Sequence, residues 1–121
     1  MPICVKSKAY KRETLFLKEL RVMKKTELTV GTNQGEKYTG QDFCGDAIKD
    51  IIVKSLSDFG FKAFTVFECL GYWEGVPEKS YRFEIYSEYG IRNRWVKNLA
   101  RDCQQDCIMV VRDNGKPEFI G

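Results

Sequence analysis

The chain has 121 residues, 43% of them hydrophobic and 13% aromatic, which supports one folded domain with a single core and excludes a disordered chain. Its net charge is only +3, and it contains no histidine. The commonest general base and metal ligand, and the usual catalytic triads, are therefore missing, so the expectation is a ligand-binding protein that is not an enzyme, with no metal site and no cofactor.

In chain order, the start Met1-Pro2-Ile3-Cys4-Val5-Lys6 lacks the charged and apolar regions of a secretory signal. No apolar run approaches the roughly 18 residues of a membrane span, and a soluble cytoplasmic protein is expected. Residues 1–25 hold eight Lys/Arg and two Asp/Glu, a net +6, against twelve and fifteen, a net −3, in the rest. Such a stretch reads as the lysine-protected face of an edge strand or, less favoured, as a contact for phosphates or nucleic acid. Glu13 to Met23 has both strand and helix character, and Thr26 to Thr32 alternates as a strand, with Leu28 and Val30 on one side. Asn33-Gln34-Gly35 reads as a turn.

A first helix is expected after Thr39 as N-cap, with Asp42 in its first turn, a stripe from Phe43 to Phe59 and Gly60 as the terminating glycine. Phe61 to Trp73 should form a long strand, Glu74 to Lys79 a loop, and Ser80 to Ser87 the returning strand. On that returning strand Tyr81, Phe83 and Ile85 share one side, which on alternation alone is the buried one. A second helix is expected from Arg92 to Asp106, then a buried strand from Cys107 to Arg112. The turn Asp113-Asn114-Gly115 and a short strand from Glu118 to Ile120 follow. From Thr26 the order is β-α-β-β-α-β. The expected fold is thus α+β, an antiparallel sheet with two helices on one face: a ferredoxin-like core plus an extra N-terminal segment, in one domain spanning residues 1–121.

The five cysteines, Cys4, Cys44, Cys69, Cys103 and Cys107, lie among apolar residues without metal-site spacing, and read as reduced small hydrophobes. Neither a Gly-x-x-x-x-Gly-Lys-[Ser/Thr] loop nor a Gly-x-Gly-x-x-Gly motif occurs. Binding chemistry is concentrated in two places. Gly71-Tyr72-Trp73-Glu74-Gly75 sets Tyr72 and Trp73, two flat rings with polar edges, between glycines at a strand end, which suits stacking on a base; the alternative is a Trp folded into the core. Arg92-Asn93-Arg94 opens the second helix. Asn93 fits an N-cap, while Arg92 and Arg94, with Arg112 at the end of the last long strand, are candidate phosphate donors.

The element order, the strand Phe64-Thr65-Val66…Gly71-Tyr72-Trp73, the Glu78-Lys79-Ser80 approach and the Phe83…Asn93 spacing resemble a family of small phage proteins, the type-one Thoeris anti-defence sponges, over roughly Leu28 to Val111. That resemblance implies capture, without cleavage, of a cyclic ADP-ribose isomer made by TIR-domain enzymes. It implies Phe83 as the stacking ring and Asn93 as a polar contact, with Trp73 and Arg92 completing the pocket. It further implies a homo-oligomer, a dimer or a trimer of dimers, with cyclic di- or trinucleotides as a second ligand class. The rival readings are a small nucleic-acid-binding module and a protein–protein inhibitor that uses the free sheet face.

Overall fold

The computed structural model describes residues 23–121; the expected element over Glu13 to Met23, save its last residue, and the basic stretch over residues 1–25, save Met23, Lys24 and Lys25, lie outside the described residues. The strands are β1 (Lys24–Gly31), β2 (Ala63–Trp73), β3 (Val76–Ser87), β4 (Ile108–Arg112) and β5 (Glu118–Ile120), and the helices α1 (Ile48–Asp58) and α2 (Asn93–Asp102). The strands form one sheet in the order β2-β3-β1-β4-β5, every pair antiparallel. This is the expected ferredoxin-like arrangement with β5 added beside β4.

Alternation decides which residues meet. Leu28 pairs with Phe83, Thr26 with Ile85 and Val30 with Tyr81, and all six are buried on the side that faces the helices. Ile48, Ile52 and Leu56 of α1, with Val96, Leu99 and Ala100 of α2, close over that side to complete the core. No described helix covers the opposite side, here the open face.

Several boundaries differ from expectation, for local reasons. Thr39 does not cap α1: its hydroxyl donates to the Glu36 carbonyl at the end of a separate 3-10 turn, and a second 3-10 turn, Gly45–Ala47, leads into α1 at Ile48. The free amides of a helix that begins nine residues on, at Ile48, are out of reach of Thr39, so its hydroxyl bonds locally instead. The expected loop from Glu74 to Lys79 is instead two residues: Glu74 and Gly75 both take positive φ, 49° and 80°, the turn whose twist matches a tight hairpin. β3 therefore begins at Val76, and Pro77 is tolerated near the tip of the hairpin.

Both helices end with the paired bonds of a Schellman cap. In α1 the Phe61 amide donates to Leu56 and the Gly60 amide to Ser57, with Gly60 at φ 82°. In α2 the Gln105 amide donates to Ala100 and the Gln104 amide to Arg101. Here a non-glycine residue, Gln104, takes the left-handed position at φ 50°. Its side chain offsets that strain: Gln104 Nε2 donates to the Asp42 carbonyl and its Oε1 accepts from Gln34 Nε2, both at 2.7 Å. α2 thus stops at Asp102, four residues short of the expected end.

Candidate functional site: the open face of the sheet

The hairpin of β2 and β3 runs well past the end of β1, since Gly31 pairs with Ser80 while pairing between β2 and β3 continues to Trp73 and Val76. Its tip curls over the open face. Glycines permit this bend: a Cβ on Gly31 would lie 1.8 Å from Glu78 Oε1, and one on Gly71 would lie 2.9 Å from Ser80 Oγ. Glu78 uses the space above Gly31 to accept the Asn33 amide at 3.0 Å. The bend brings Trp73, at one edge of the sheet, to Phe119 on β5 at the other, with ring centroids 6.2 Å apart.

Beneath that contact the open face is built in rows across the strands. One row reads Phe67, Arg82, Thr29, Met109, Phe119, and its neighbour reads Thr65, Glu84, Glu27, Val111. The Arg82 guanidinium lies over the Phe67 ring, 4.7 Å from its centroid, a cation–π contact. Its NH2 group is 3.4 Å from Glu84 Oε1, and its buried Nε has no hydrogen-bond partner. Glu27 and Glu84 stand directly opposite each other, with side chains only 25% and 19% exposed. Two like charges so placed repel, and Lys25 offsets the repulsion from 3.0 Å of Glu27 and 4.0 Å of Glu84. The Lys25 ammonium is held above its ordinary range, first by its hydrogen bond to Glu27 and then, against a lowering by burial, by the charges of Glu27 and Glu84. The face thus offers two carboxylate acceptors, an oriented guanidinium and a lysine within one small area, next to exposed aromatic rings.

The seven side chains singled out in the sequence do not converge on one pocket. Phe83 is 0% exposed, in the core between Leu28 and Val66; its ring has no free surface, so stacking on a ligand from there would require the core to open. Its inward position follows from strand alternation. Arg112 is fully engaged: it donates to the Ile91 carbonyl at 3.1 Å, to Glu118 at 3.2 Å and to the Asn93 side chain. Asn93 is the first residue of α2, not its N-cap. Arg92 holds the cap position without a side-chain bond, since a guanidinium has no acceptor for a helix amide, and the Asn93 side-chain oxygen accepts from Arg112. Arg112 and Asn93 therefore tie the start of α2 to β4 and β5. Arg92 and Arg94 are exposed at that helix start, on the helix side. Trp73 is exposed on the open face, and Tyr72, also exposed, points to the other side of the hairpin.

Phe119, Phe67, Arg82, Glu27 and Glu84 were not singled out in the sequence. Along the chain they look like ordinary solvent positions of alternating strands, and only pairing across the sheet sets them together. Among the described residues there is no group of three or more His, Cys, Asp or Glu that could hold a metal ion, and no helix is long and apolar enough to cross a membrane.

No family model matches the sequence, and no curated protein matches it. Two solved structures do. A phage SAM lyase in its apo state is 18% identical, with 82% of this chain and 90% of that one covered at a TM-score of 0.52. A phage SAM lyase in complex with S-methyl-5'-thioadenosine is 17% identical, with 79% and 84% covered at a TM-score of 0.44. The first establishes a shared fold. It also overturns the expectation that this chain is no enzyme: that expectation rested on the missing histidine, and the same architecture carries a lyase. By its name the first match is a phage protein that acts on S-adenosylmethionine.

Proposed function

We propose that this is a phage small-molecule protein of anti-defence type, with the open face of its sheet as the site for an adenosyl ligand of the S-adenosylmethionine class. The observation that carries this reading is the mixed-charge floor formed by Lys25, Glu27, Arg82 and Glu84. S-Adenosylmethionine bears a sulfonium, an ammonium and a carboxylate. Paired carboxylates suit the two cations, and an arginine fork suits the carboxylate. The shared fold with a phage SAM lyase supports the same class.

The test is calorimetric titration with S-adenosylmethionine, followed by denaturation and mass analysis of the small molecules. Binding to the wild type is expected, weakened about ten- to a hundredfold in Glu84→Gln, in line with the ~1.5–3 kcal/mol of a hydrogen bond to a charged group. The mass analysis reports whether the bound molecule is intact or converted. Absence of binding would sink the reading.

A second reading, capture of a cyclic ADP-ribose isomer in a homo-oligomer, with cyclic di- or trinucleotides as further ligands, is favoured by one observation. Arg92 and Arg94 are exposed at the start of α2, where a helix N-terminus and guanidinium groups suit phosphates. The same titration with that isomer decides it, with Arg92→Ala and Arg94→Ala expected to weaken binding and Glu84→Gln expected to leave it unchanged.

A further inference from the structure

We propose that Trp73 and Phe119 form an aromatic clamp that takes the planar heterocycle of the ligand between them. The inference rests on the adenosyl reading above and adds the position of the base. Both rings lie on the open face, 63% and 57% exposed, although large rings are normally drawn into a core. They come from the two opposite edges of the sheet, and they meet because the β2–β3 hairpin bends over Gly31 and Gly71. Their centroids are 6.2 Å apart and their planes 60° apart, an edge contact that neither buries the rings nor aligns them. Sandwiching a flat ring requires parallel planes roughly 7 Å apart, twice the contact distance of about 3.5 Å between carbon atoms. The clamp is thus within about 1 Å and one ring rotation of that geometry, a shift small enough for side-chain torsions.

The floor fixes the direction of the rest of the ligand. From Phe119 the row passes Met109 and Thr29 to Arg82, with Glu27 in the next row. The β1 strand carrying Thr29 and Glu27 is two strand spacings from β5, roughly 10 Å at about 4.8 Å each. A nucleoside with a short charged substituent spans that distance, so a base held by the clamp puts its substituent over the charged floor. Stacking on two rings selects any flat heterocycle, and the floor then selects among them by charge.

The test uses Trp73 as reporter in a Trp95→Phe background, which leaves Trp73 as the one tryptophan, since the sequence has two. Titration with adenosine and with S-adenosylmethionine should quench its fluorescence, and methionine, which has no flat ring, should not. Phe119→Ala should lower adenosine affinity about tenfold, consistent with ~1–3 kcal/mol per stacked base, whereas Phe119→Tyr should retain it. Far-ultraviolet circular dichroism of each variant serves as the folding control. Equal calorimetric affinity of wild type and Phe119→Ala for S-adenosylmethionine overturns the clamp and leaves the adenosyl reading standing. Adenosine quenching without any binding of S-adenosylmethionine supports the clamp and overturns that ligand class. No response to either molecule overturns both.

Discussion

Phe83 and Cys103 are governed by burial. Both sit in the core, so their substitution reads on stability before it reads on binding. Phe83→Ala removes a fully enclosed ring and is expected to cost about 3–5 kcal/mol, seen as a large drop in the urea midpoint; a drop below about 1 kcal/mol would show that the ring is not part of the core. Burial, with a smaller push from the Asp102 charge, moves the Cys103 thiol from its ordinary 9.0 up to about 12. Above the unfolded value the unfolded chain releases this proton while the folded chain keeps it, so folding stability falls as pH rises. The stabilisation is complete below pH 9.0 and is lost as pH approaches about 12. Unfolding curves across that window should slope downward for the wild type and less steeply for Cys103→Ala. Equal slopes would disprove the assignment.

The tip of the hairpin shows how a few backbone angles set an element. Glu74 and Gly75 must both adopt positive φ to close a two-residue turn, and Gly75 at 80° lies where a side chain is strained. Gly75→Ala is therefore expected to destabilise the hairpin by about 1 kcal/mol. The change should appear as faster amide exchange at Trp73 and Val76, with protection of Leu28 and Val110 unchanged. Uniform loss of protection would mean that the tip is not a separate unit of stability. The two helix ends illustrate a related point. Gly60 announces the end of α1 in the sequence, whereas Gln104 gives no such sign for α2, because a left-handed glutamine is tolerated there only through bonds to Gln34 and Asp42, more than sixty residues away.

Across the whole molecule, function depends on which side of the sheet a residue faces and which strand lies next to its own. Arg112 and Trp73 look equivalent in sequence, a cation and a ring at strand ends. The fold commits Arg112 to an internal tie among α2, β4 and β5, and leaves Trp73 exposed on the far side of the sheet. Glu27 and Glu84 are 57 positions apart, the difference of their numbers, yet stand opposite each other because β3 returns between β2 and β1.

Local chemistry was legible without a structure. Alternation along β1 and β3, the apolar stripes of both helices and the turn residues at Gly60 and Asp113-Asn114-Gly115 dictated the element order and hence the α+β architecture, since each signal concerns neighbours within a few residues. The inward position of Phe83 was legible in the same way, from alternation alone. The charged floor and the contact between Trp73 and Phe119 were not, because they arise where opposite edges and non-consecutive strands meet. No periodicity encodes a meeting across a sheet. It is decided by strand order and by a hairpin free to bend where Gly31 and Gly71 carry no side chain.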